Sequence, residues 1–134
     1  MTAADAPTIR LADYRPSDYL IETVDLDVSL HPTATRVKAL LRIAPNPKGR
    51  AGAPLVLDGD DLVCISATLD GAPLDVATAA TPAALTLEHP PQRPFTLEVE
   101  TRLDPSANTR LMGLYLSNGV YCTQCEADGF RRIT

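Results

Sequence analysis

The side chains best able to do chemistry crowd into one stretch, Tyr121-Cys122-Thr123-Gln124-Cys125-Glu126-Ala127-Asp128-Gly129-Phe130-Arg131-Arg132-Ile133-Thr134. Cys122 and Cys125 form a C-x-x-C, the spacing of redox dithiols and of half a structural zinc site. A redox pair needs its first thiol at a helix N-terminus after a strand, where the dipole stabilises thiolate, and a zinc site needs two more ligands nearby. Neither context is visible, and the remaining cysteine, Cys64, falls in a predicted strand. The pair therefore reads as small packing residues bracketing a polar loop. Glu126 offers an acid that can hold a cation, with Gln124 beside it, although the usual place of Glu in a Glu-Ala-Asp-Gly stretch is a surface turn. Arg131 and Arg132 either bind a carboxylate or pair with Asp128 and solvent. His31 and His89 each precede proline, far apart in sequence, and read as solvated turn residues. The run lacks the periodicity of the residues before it and stops without a loop, cap or polar tail, as expected of a chain that has been cut.

The elements that must position this stretch are predicted to be strands. From Leu20 to Leu30 the even positions are mostly apolar and the odd ones from Thr23 polar, the period of a half-buried strand. After His31-Pro32-Thr33-Ala34, Val37, Ala39, Leu41 and Ile43 alternate with Arg36, Lys38 and Arg42. This second strand pairs back on the first, with its basic face opposite Asp25 and Asp27. Residues 44–52 are a Pro- and Gly-rich loop. Pro54 to Leu57 is a short buried strand, Leu62 to Leu69 another, and Asp70-Gly71 supplies a tight type I′ turn into Pro73-Leu74-Asp75-Val76. Ala77 to Pro82 is an Ala/Thr connection. Ala84 to Glu88 and Phe95 to Leu103 complete the set, the latter with Phe95, Leu97, Val99 and Leu103 on one face. Short strands at this spacing, with no long 3.6-residue period, indicate an all-β, antiparallel sandwich or saddle.

At 134 residues, 45% of them apolar, the chain is long enough for one core and too hydrophobic to be disordered. A formal charge of −5 and a pI near 4.8 argue against a nucleic-acid partner, since phosphate binding needs a basic excess. Met1 to Pro7 carries neither a basic start nor an apolar core of a leader, and no run is long enough to span a bilayer, so a cytoplasmic, membrane-free protein with free thiols is expected.

Several blocks carry a family resemblance. Asn108-Thr109 with Gly113-Leu114-Tyr115, then Cys122 to Gly129, then Phe130-Arg131-Arg132-Ile133-Thr134, occur in order, and Tyr14-Arg15-Pro16-Ser17-Asp18-Tyr19 adds a fourth. Together they resemble the N-terminal domain of bacterial aminopeptidase N, the alanyl aminopeptidase branch of the M1 zinc metallopeptidases, from about Leu11 to Thr134. The resemblance implies a lead-in at 1–13, a β-sandwich or saddle domain at 14–134, and a catalytic domain after Thr134. It implies that Glu126 matches the glutamate that binds the substrate's amine and Gln124 the neighbouring glutamine on the S1 side. The parent reaction it implies is zinc-dependent removal of the N-terminal residue of a peptide. The family's His-Glu-x-x-His and its Gly-x-Met-Glu-Asn loop are both absent here. No catalytic residue, metal ligand or cofactor is therefore expected in this segment, whose partners would be the peptide substrate and its own catalytic domain. A rival reading is a free-standing β-sandwich adhesion or carbohydrate-binding module, for which four Tyr, two Phe and no Trp offer little aromatic platform.

Overall fold

In the computed structural model, residues 8–134 are described; the expected lead-in at 1–13 lies partly, and the stretch Met1–Pro7 read for a leader wholly, outside them. The central five-stranded antiparallel sheet begins with the expected hairpin of β1 (Tyr19–Ser29) and β2 (Thr35–Pro45). Its turn is closed by Thr35, whose Oγ1 accepts the His31 N–H at 2.9 Å and donates to the His31 carbonyl at 2.7 Å. His31 itself sits in that turn, its Nδ1 accepting the Thr33 N–H at 3.2 Å.

The sheet grows on the other side of β2 by the late strand β7 (Phe95–Leu103), then β4 (Val63–Leu69) and the two-residue β5 (Ala72–Pro73), giving the order β1-β2-β7-β4-β5. Strand β7 alternates as its sequence requires, with Phe95, Leu97, Val99, Thr101 and Leu103 buried. Between β4 and β5, Asp70 and Gly71 have φ of 48° and 81°, the backbone a type I′ turn demands. The Asp70 carboxylate is held below the usual carboxylate range, first by the Thr96 N–H at 2.8 Å and then by the Arg93 guanidinium at 2.8 Å.

A second layer, the pair β3 (Leu55–Asp58) and β6 (Ala84–Leu87), packs on one face of this sheet. Leu55, Leu85 and Leu87 meet Leu41, Ile43, Phe95, Leu97 and Val99 in the larger of two core clusters. The opposite face of the sheet is polar and carries the ion pairs Arg36–Glu100 at 3.1 Å and Lys38–Glu98 at 3.8 Å. Half-exposed pairs of this kind contribute about 0–1 kcal/mol each, so the apolar layer and not the charge row holds the fold.

The structure corrects the strand-level reading in three places. Strand β1 contains a bulge between Ile21 and Thr23, so Ile21 shares a face with Val24 while Leu20 turns to the other side; strict even-position alternation fails there because one extra residue reverses the facing of everything before it. The basic residues of β2 do not answer both expected acids: Lys38 lies opposite Asp27, but Asp25 lies opposite Leu40, and the ion pairs go to β7. The supposed connection at Ala77–Pro82 begins inside a single helical turn, α1 (Val76–Ala79), because Asp75 caps it, accepting the Ala77 N–H at 3.1 Å and the Thr78 hydroxyl at 2.8 Å.

Candidate functional site

The stretch expected to be irregular is a second, smaller structural unit. Strands β8 (Gly113–Ser117) and β9 (Val120–Gln124) form a hairpin whose turn, Asn118-Gly119, has φ of 49° and 77°, again a type I′ backbone. The Asn-Gly dipeptide was the available signal for this hairpin. A tight 3-10 turn, Gly129–Arg132, then folds back beneath it. Val37, Leu62, Leu103, Leu114 and Ile133 form the second core cluster, with Tyr121 and Cys125 packed against it, so the unit is seated on the end of the main sheet.

Each block of the sequence has a local reason to be there. Asn108 stitches the loop ahead of β8: its Nδ2 donates to the Met112 and Leu114 carbonyls at 2.7 and 2.9 Å and its Oδ1 accepts the Arg110 N–H at 3.1 Å. That bracing holds the exposed Leu111 at φ 57°, a strained position for a branched side chain. Gly113 and Gly129 make the backbone interlock. A Cβ on Gly113, whose φ is 71°, would lie 2.5 Å from the Arg132 Cβ, and one on Gly129 would run into the Gln124 carbonyl oxygen. Replacing Gly129 with Ala is expected to destabilise the domain by about 1–3 kcal/mol, the cost of forcing an extra methyl into packed backbone. Chemical denaturation reads it, and an unchanged midpoint would show that the interlock is slack.

Glu126 and Gln124, the two candidate binding residues, stand together on the exposed rim of this unit, at the junction of β9 and the 3-10 turn. The Glu126 N–H donates to Gln124 Oε1 at 3.1 Å, so Gln124 orders the backbone from which Glu126 projects. The Glu126–Ala127 peptide is cis. Below the rim, Arg131 pairs with Asp58 at 3.3 Å and Asp128 at 3.7 Å, and the Asp60 N–H donates to the Arg131 carbonyl at 2.6 Å. Arg132, read as either a carboxylate binder or a solvated partner of Asp128, is instead buried. Its Nη1 lies 3.0 Å from Asp60 and its Nη2 3.6 Å from Asp61. Nε and Nη1 have no well-directed hydrogen bond, so the contact with Asp60 is a close ion pair with poor alignment. Arg132 is the supporting residue beneath the rim that the sequence reading undervalued. The signal was the pairing of two charge runs, Asp58-Gly59-Asp60-Asp61 and Arg131-Arg132.

The sulfur chemistry goes elsewhere. Cys122 lies within β9, not at a helix N-terminus, and Cys125 packs under the turn; all three cysteines are free. Burial pushes the Cys64 thiol up, away from nucleophilic use. Among the described residues no group of three or more His, Cys, Asp and Glu side chains is arranged to hold a metal ion, so these donors do not fit the zinc that the resemblance attaches to the parent. Among the described residues no helix is long and apolar enough to cross a membrane.

No family model matches the chain. Individual proteins do. It is 47% identical over 132 residues to the aminopeptidase N of Caulobacter vibrioides, covering 97% of this chain and 15% of that protein. It is 41% identical over 122 residues to the aminopeptidase N of Escherichia coli K12, covering 91% of this chain and 14% of that one. Its fold superposes with a TM-score of 0.81, at 33% identity, on the crystal structure of Legionella pneumophila aminopeptidase A in complex with aspartic acid, over 94% of this chain and 15% of that one. The chain thus spans about one-seventh of the length of the relatives it matches. With the antiparallel layers and the C-terminal unit as described, the chain matches the N-terminal part of aminopeptidase N in sequence and fold.

Proposed function

We propose that this chain is the non-catalytic β-domain of an M1-type zinc aminopeptidase, acting in the cytoplasm. It caps the active-site cleft and presents Glu126, with Gln124, to the free amino end of a peptide. The observation that supports it best is the exposed Glu126–Gln124 rim standing on a rigid base of glycine interlock and buried Arg132, within a sequence 47% identical to an aminopeptidase N. A carboxylate suits the task because an ammonium pairs with it, whereas the neutral amide of an internal residue leaves it unpaired. Glu126 is exposed here, so the desolvation that sharpens this choice comes from the catalytic part closing over it.

Zinc and the hydrolytic groups belong, in this reading, to the remainder of the longer protein. When bound there, zinc supplies an activated water; this chain's share is recognition and orientation. The domain alone is expected to show no aminopeptidase activity and no stoichiometric zinc. Elemental analysis with a peptide-release assay checks both. One tightly held zinc per chain, or turnover by the isolated domain, would overturn the assignment.

A further inference from the structure

The core face of the main sheet extends one strand further than the layer that covers it. In β1, Ile21, Val24, Leu26 and Val28 lie directly opposite Ile43, Leu41, Ala39 and Val37 of β2, and directly opposed residues of an antiparallel pair share a face. The β2 members are 0–8% exposed, while their β1 partners are 43–52% exposed. The second layer, β3 with β6, covers the interior strands and stops short of this edge. What remains is an uncharged apolar strip continuous with a cleft of about 310 Å³, whose walls include Ile21, Val24, Leu41, Val56, Leu62 and Thr134. Contiguous exposed apolar surface of this kind marks a place where something docks.

We propose that the strip and cleft seat an apolar segment of the longer polypeptide lying C-terminal to this one, which extends the β3–β6 layer over β1. This rests on the longer-polypeptide part of the reading above and not on the role of Glu126. Two observations point to the occupant. The matched relatives hold most of their length outside this segment, and Thr134 lines the cleft, so polypeptide following that point starts beside it. A second copy joined edge to edge at β1 fits less well. Pairing two β1 edges brings Asp25 and Asp27 of both copies onto one face, and like charges opposed across strands destabilise the pair.

Hydroxyl-radical footprinting with mass spectrometry tests this by comparing Ile21, Val24, Leu26 and Val28 in this chain and in the full-length protein, against a dosimeter. Moving from about half exposed to interior levels is expected to cut their modification about fivefold in the full-length protein. Equal modification in the two would overturn the proposal. So would protection already present in this chain together with dimeric sedimentation, because the seat would then belong to a second copy. A Val24→Lys, Leu26→Lys variant gives an independent reading. It is expected to leave the denaturation midpoint of this chain in place and to lower that of the full-length protein; an unshifted full-length midpoint counts against the proposal. A reading frame that ended at Thr134 would instead defeat the longer-polypeptide reading itself, an outcome distinct from either.

Discussion

Glu126→Gln in the full-length protein is expected to raise KM for peptides with a free amino end about a hundredfold or more, with zinc content unchanged. The substitution keeps the shape of the side chain and removes only its charge, so in the proposed role the substrate ammonium would enter a covered site with no counter-ion. Breaking a buried pair from one side costs about 3–5 kcal/mol, and each 1.4 kcal/mol is a factor of ten. In the isolated domain the same change is expected to do almost nothing. There Glu126 is exposed, and pairs in water contribute about 0.2–1 kcal/mol. The contrast between the two contexts separates a recognition role from a folding role, since a folding defect would appear in both. Steady-state kinetics beside metal analysis decides it, and an unchanged KM removes Glu126 from the site.

The second large effect concerns the ion cluster beneath the rim, and its sign depends on which partner is removed. The Arg132 side chain is only 9% exposed, whereas Asp60 and Asp61 are 44% and 80% exposed. Deleting both acids as Asp60→Ala with Asp61→Ala strands a cation that cannot lose its proton in the interior, at an expected cost of about 3–5 kcal/mol. Deleting the cation as Arg132→Met leaves two acids that water already solvates and keeps most of the buried stem volume, so the expected cost is below about 1.5 kcal/mol. Chemical denaturation of the three proteins tests the order. If Arg132→Met proves the worse, the cluster holds the turn through a hydrogen-bond geometry other than the one seen.

The sheet was legible where local pattern and tertiary demand agree. Phe95 to Leu103 alternates with Thr101 as the one polar residue on its covered face, because long strands flank it on both sides and that face is wholly covered, and Asp70-Gly71 predicts its turn because few dipeptides tolerate two consecutive positive φ values. Strand β1 was misread in its first residues because a bulge leaves no mark in a period-two count. It was also expected to be half-buried, and its apolar face is uncovered within this chain. The hairpin β8–β9 went unread because Gly113, Ser117 and Thr123 dilute its alternation, although Asn118-Gly119 announced the turn. At the site, a sequence shows that Glu126 is acidic but not that Gln124 braces its backbone, and it cannot show that one of two adjacent arginines is buried. Those facts arise only when the 3-10 turn at Gly129–Arg132 folds against the Asp58–Asp61 loop.

The strand order has a consequence for the emergence of this polypeptide from the ribosome. Strand β2 is flanked in space by its immediate predecessor and by β7, which is synthesised some fifty residues later. The first hairpin therefore leaves the exit tunnel early and waits, with Val37, Leu41 and Ile43 still wet, until Phe95 to Leu103 arrives to complete the central ladder. Non-local pairings of this kind fold slowly. During that interval the row of Arg36, Lys38 and Arg42 on the other face of β2 supplies the charge that keeps nascent chains from joining edge to edge.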